Sequence, residues 1–127
     1  MINLLWIGLG GFVGSVLRYL FSGFVQSALK SADFPYGTAA VNLTGCLLIG
    51  FLSQLAESQS AFTSEIRAFL FVGLLGGFTT FSTFGNEMMN LFWTGESPLA
   101  FLNLALHVVF GLGAVWLGRT FAYLIWR

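Results

Sequence analysis

The chain has 127 residues and a formal net charge of zero, five Lys/Arg against five Asp/Glu, and only 8% of its residues are charged, where a soluble domain carries about a quarter. Its 57% hydrophobic content, 15 Phe and mean hydropathy of +0.85 would leave large apolar areas facing water in a soluble fold of this size, which excludes one. Balanced charge without clustered Lys and Arg likewise excludes nucleic acid as a partner.

The apolar residues fall into four runs, over about 2–25, 37–56, 66–93 and 98–126. Each matches or exceeds the ~20 residues that a helix needs to cross the hydrocarbon layer. The connections, 26–36, 57–65 and 94–97, are short. An all-α membrane protein is expected, a single four-helix transmembrane domain over 1–127 with no room for a soluble appendage. Residues 1–5 hold no Lys or Arg and the first run outlasts a typical signal-peptide core, so no cleavable leader is expected.

The first span carries Gly10, Gly11 and Gly14, which allow close helix contact in lipid, and one charged residue, Arg18. Arg18 either snorkels to the interface or faces inward at an aqueous vestibule, and the sequence leaves both open. In the second span Thr38, Asn42 and Cys46 share a face at four-residue spacing. Asn42 is the demanding one, because a buried amide must find partners. Cys46 is the single cysteine, too few for an intrachain disulfide, and reads as a small residue filling space.

The third span is the unusual one. Its segment Gly73-Leu74-Leu75-Gly76-Gly77-Phe78-Thr79-Thr80-Phe81-Ser82-Thr83-Phe84 puts three glycines and four hydroxyls where the membrane midplane falls. Glycine weakens a helix, and hydroxyls satisfy backbone groups that a break releases. A helix interrupted near 76–80 is expected, with freed carbonyls suited to a cation; the alternative is an unbroken helix with a glycine face. Beyond the break Ser82, Thr83, Asn86 and Asn90 fall on one side, and Phe81, Phe84 and Met88 roughly opposite. Neutral donors and the positive edges of aromatic rings are both groups that coordinate an anion. Glu87 is the one acid expected deep in the apolar part. In the fourth span Asn103 and His107 lie four apart, and His107 is expected as an interhelical hydrogen-bonding group. No triad or metal-ligating cluster of side chains stands out, which argues against an enzyme.

Four spans put Arg67, Arg119 and Arg127 on one side of the membrane and Arg18 and Lys30 on the other. Three against two sets almost no preferred orientation under the positive-inside rule, so a chain inserting both ways is expected. Four short helices also leave little interior for a solute path, so transport would need a second subunit.

Three segments resemble one known family, the small bacterial fluoride channels called CrcB or Fluc. They are Gly10-Gly11-Phe12-Val13-Gly14-Ser15-Val16-Leu17-Arg18-Tyr19, then Gly37-Thr38-Ala39-Ala40-Val41-Asn42-Leu43-Thr44-Gly45, and above all the 73–84 segment. The resemblance implies an antiparallel dual-topology homodimer in the bacterial inner membrane, with two separate pores for passive fluoride efflux and fluoride resistance. It further implies a structural sodium ion held by backbone carbonyls where two broken third helices cross. By position in the motif, Phe81 and Phe84 correspond to pore phenylalanines, Asn42 to the pore asparagine, and Ser82 and Thr83 to members of a polar track. Gly76 and Thr79 correspond to the carbonyl donors to sodium. The sequence departs from the family at Gly111 and Val115, where hydroxyls are expected.

Two other classes compete. A proton-coupled exporter of the small multidrug type needs an embedded carboxylate, normally in the first helix, where this chain has Arg18 and no acid. A membrane assembly subunit explains the glycines and leaves the hydroxyl-rich break without a purpose.

Overall fold

The computed structural model describes residues 1–30, 33–58 and 62–126, and all regular structure among them is helical. Helix α1 is Ile2–Leu29 and α2 is Tyr36–Ser58. The third span, Ser64–Trp93, divides into α3 (residues 64–78) and α4 (Phe81–Trp93), and α5 is Ser97–Ile125. All four spans are long and apolar enough to cross a membrane. Arg127, one of the charges in the topology count, lies outside the described residues.

Each helix end has a local cause. The Lys30 backbone turns left-handed (φ 49°) and stops α1. Gln26 then ties α1 to the start of α2: its Nε2 donates to Phe34 O and its Oε1 accepts from the Gly37 N–H, both at 3.0 Å. That bond satisfies one of the unpaired N–H groups of the first turn of α2. At the other end of α2, Arg67 Nη2 donates to Ala56 O at 3.1 Å, a cation on the negative end of the helix. Thr63 caps α3, and Gly95 (φ 82°) makes the tight turn between α4 and α5, with Pro98 in the first turn of α5.

The third span is bent as its glycines suggest, with one refinement. Gly76–Phe78 keeps a helical turn, and the chain leaves the helix at Thr79 (ψ 157°) and Thr80 (φ −151°, ψ 113°). Glycine permits the bend, but the backbone opens where outside hydrogen bonds replace the helical ones. Wider, π-helical turns occur at Ala68–Leu75 in α3 and at Leu106–Phe110 in α5, the second containing His107.

Two helix contacts frame the molecule. Along α1 and α3, a methyl group added at Gly14 would lie 2.1 Å from Leu74 O, and one at Gly10 would lie 2.4 Å from Phe69 O. Between α2 and α5, Gly50 and Gly118 meet backbone in the same way, at 2.2 Å from Val115 O and Leu47 O. Without a hydrophobic drive in lipid, such backbone-to-backbone approach gives the dispersion contact that holds helices together. Val41, Leu75, Ala100 and Ala122 fill the buried interior around these seams.

Candidate functional site

Opening a helix at membrane depth releases N–H and C=O groups that lipid cannot satisfy. At Thr80 the α2 residue Asn42 supplies the missing partner twice over. Its Nδ2 donates to Thr80 O at 3.0 Å, and its Oδ1 accepts the Thr80 N–H at 2.8 Å. The demanding amide in the sequence is thus the clamp on the break, and its Nδ2 carries a second N–H. The Thr80 hydroxyl caps α4 by accepting the Thr83 N–H at 3.2 Å, and also donates to Thr83 Oγ1 at 3.0 Å. Ser82 Oγ sits 3.3 Å from the same hydroxyl.

These bonds have a further result. In a continuous helix the N–H groups of Thr80 and Thr83 would bond to Gly76 O and Thr79 O. Both N–H groups are engaged elsewhere, by Asn42 and by the Thr80 hydroxyl, so the Gly76 and Thr79 carbonyls lose their helical donors. Two such oxygens, three residues apart, are donors of the kind that a hard cation takes.

A cleft of about 400 Å³ runs between α2, the break and α5, lined among others by Asn42, Thr79, Phe81, Phe84, His107 and Gly111. None of the described residues that line it is Lys, Arg, Asp or Glu. The Phe81 and Phe84 rings stand 5.6 Å apart at 52°. Phe81 is 82% exposed in the single chain, whereas Phe84 is 7% exposed, its ring 4.2 Å from that of His107. The His107 Nδ1 does not make the interhelical bond expected of a membrane histidine. That atom lies 3.0 Å from Asn103 O of its own helix, because a residue four positions away offers its carbonyl first.

Thr83 lies on a second cleft, of about 340 Å³, with Ser15, Arg18, Ser22, Thr38 and Thr80. Arg18 is half-buried there. The structure therefore brings Asn42, Phe81, Phe84, Gly76 and Thr79 to one cleft and puts Thr83 with Arg18 on another, while Ser82 is exposed and touches Thr80. Thr80, which sequence reasoning passes over, lines both. Its signal is a hydroxyl three residues before Thr83, the spacing of an N-cap. Thr38 also does more than share a face with Asn42: its hydroxyl donates to Glu87 Oε1 at 2.5 Å, a second tie from α2 to α4. On α5, Gly111 stands at the cleft, and the Val115 carbonyl packs on Gly50.

Residues 5–119 match the family described as CrcB-like protein, Camphor Resistance (CrcB). The chain is 39% identical over 122 residues to a protein of Methanosarcina barkeri named Fluoride-specific ion channel FluC 3, covering 96% of this chain and 91% of that one. It is 43% identical over 122 residues to the Fluoride-specific ion channel FluC of Ruminiclostridium cellulolyticum, covering 96% and 93%. To the protein of the same name in Elusimicrobium minutum it is 46% identical over 119 residues, covering 94% and 92%.

Proposed function

The chain belongs to the CrcB-like family, and from that premise we propose that this multi-pass membrane protein is a fluoride-selective channel, not an enzyme. It lets fluoride leave the cell passively and so confers fluoride resistance. The observation that carries this reading is the cleft at the break, free of Lys, Arg, Asp and Glu and lined by the Asn42 amide of α2 and the Phe81 and Phe84 rings of α4. Fluoride is small and strongly hydrated, so a narrow path must replace its water with donors. Asn42 and the positive ring edges of Phe81 and Phe84 supply them in this cleft, and Ser82 and Thr83, which meet the Thr80 hydroxyl, extend the neutral donors beyond it. Several weak neutral sites let an ion enter and leave, where a deep fixed cation would hold it. Arg18 stands on the neighbouring cleft, where it draws anions toward the entrance.

The functional unit is an antiparallel pair of identical chains in the bacterial inner membrane, with two pores. The three-to-two split of Lys and Arg supports insertion in both orientations. Labelling Ser97→Cys in a Cys46→Ser background is expected from both membrane faces; labelling from one face alone rejects the pair. In that pair the freed Gly76 and Thr79 carbonyls would hold a sodium ion, which would offset carbonyl dipoles beside the anion paths. Replacing all sodium with a large organic cation should lower both flux and dimer stability, reversibly. If neither changes, the carbonyl site has no role.

The deciding experiment is ion efflux from liposomes containing the purified protein. Fluoride should leave far faster than from protein-free liposomes, and chloride should not. Equal efflux of both ions, or no fluoride efflux, overturns the reading.

A further inference from the structure

Among the described residues, four buried side-chain polar atoms have no hydrogen-bond partner: Glu87 Oε2, Asn103 Nδ2 and Oδ1, and His107 Nε2. All four belong to one hairpin, α4 with the first half of α5. The Phe84 and His107 rings, with centroids 4.2 Å apart, set the level at which the two helices meet. From that level Glu87 lies three residues onward along α4 and Asn103 four residues back along α5, about 4.5 and 6 Å in the same direction, toward the Gly95 turn. The unpartnered atoms therefore gather at one level of the hairpin.

Asn103 is the centre of the group. It is 0% exposed, and it lines neither of the clefts at the break. Buried Phe84 lies on one side of its level and buried Leu91 and Ala100 on the other, so the hairpin closes over it. A primary amide with both ends unpaired in a membrane interior is among the costliest neutral groups to bury, and folded proteins rarely leave one so.

We propose that Asn103 anchors internal water sealed between α4 and α5, shared with His107 Nε2 and Glu87 Oε2. The donor set selects the occupant. An anion would face the acceptors Asn103 Oδ1 and Glu87 Oε2, and a cation would face the Nδ2 hydrogens. Water both donates and accepts, so it answers every member, and a buried water makes about three bonds to groups otherwise unsatisfied. Glu87 Oε1 already takes the Thr38 hydroxyl, which leaves Oε2 for the hairpin. The imidazole of His107 is then held at both nitrogens, Nδ1 at 3.0 Å from Asn103 O and Nε2 by the water, and its face carries the Phe84 ring. This water is part of the hairpin, and no ion passes through its site.

The test is NMR of the whole protein in detergent micelles, with the asparagine side chains labelled with nitrogen-15 and Asn103 assigned through its own backbone. The Asn103 amide protons should give a cross-peak to water with the sign of a long-lived bound molecule. The cross-peak should persist when a large organic cation replaces sodium, and when fluoride is added. Its absence overturns the proposal. Loss on removing sodium makes the occupant a cation, and loss on adding fluoride puts the amide on an ion path; either result overturns it as well. Thermal unfolding gives the second measurement. If the amide is dry, Asn103→Leu removes an unpaired polar group and should raise the melting temperature. With water bound, the same change strands the atoms on His107 and Glu87 that share it, so a fall in melting temperature is expected, and a rise overturns the proposal. If Asn103→Leu does not fold, the wild-type cross-peak decides. None of these measurements reads flux, so their outcome is independent of the channel reading.

Discussion

The α1–α3 contact and the seam of α2 with α4 and α5 lie side by side in one small protein and solve the membrane problem in opposite ways. The first is closed by glycine: Gly10, Gly14, Gly73 and Gly77 bring backbone against backbone with no room for a methyl group. The second is polar: Thr38 holds Glu87, Asn42 holds Thr80, and Asn103 and His107 keep buried atoms without partners. Lipid gives helices little reason to associate beyond dispersion and hydrogen bonding. One contact uses the first force and tolerates no cavity; the other uses the second and leaves clefts open.

The largest expected effect breaks the rigid side. In Gly14→Ala the new methyl would sit 2.1 Å from Leu74 O and 2.9 Å from Phe78 N, both backbone atoms that move only with α3 itself. Overpacking typically costs ~1–3 kcal/mol, and a backbone obstacle puts this change at or above the upper end. Thermal unfolding in detergent should show a large loss of stability and of assembled protein. Gly113→Ala, where nothing lies within 4 Å of the added methyl, should keep or slightly raise the melting temperature.

The polar side breaks more selectively. Asn42→Ala removes both bonds to Thr80 and leaves a backbone N–H unpaired at membrane depth, at a cost of ~1–3 kcal/mol. Fluoride flux should be abolished while the chain still assembles, because the glycine contact is untouched. Wild-type flux in a folded Asn42→Ala protein would show that the clamp is dispensable.

Next come the rings. Phe81→Ile and Phe84→Ile should both assemble and lose most fluoride flux. They should differ in stability. Phe84, buried against His107, loses about 1 kcal/mol of ring contact, whereas the exposed Phe81 loses little from the single chain. Flux measured beside thermal unfolding separates the two roles, and full flux in both variants removes the rings from the path.

How far the sequence discloses this arrangement depends on the range of the interactions. The spans are legible because so few charges interrupt apolar runs long enough to cross the hydrocarbon layer. The bend is legible to within 76–80, since glycines and hydroxyls act locally. That the backbone opens at Thr79 and Thr80 is not, because the cause is Asn42, 38 positions away along the chain. Glycine spacing indicates that α1 approaches another helix closely, but not that Gly14 meets Leu74. The i,i+4 relation puts Asn103 and His107 on one face, and hides that the His107 ring turns back on its own helix and rests on Phe84.

The smallest effect lies at the membrane edge, where neither kind of contact applies. Arg119 Nη2 and Glu57 Oε2 meet at 2.5 Å, a distance that looks strong, yet the side chains are 41% and 59% exposed. Water screens such a pair, and ordering two long side chains offsets much of the attraction, so its coupling should be only ~0–1 kcal/mol. A double-mutant cycle of Arg119→Gln and Glu57→Gln, followed by thermal unfolding, should show that small coupling shrinking further at high salt. Arg67 is the informative neighbour, because its guanidinium bonds to a helix-end carbonyl, Ala56 O, rather than to a charge. Arg67→Gln should therefore lose stability that salt restores only in part. If the Arg119–Glu57 coupling instead exceeded that loss and resisted salt, the charged rim would be fastening α2 to α5 together with Gly50 and Gly118, and the division between rigid and polar contacts would need a third member.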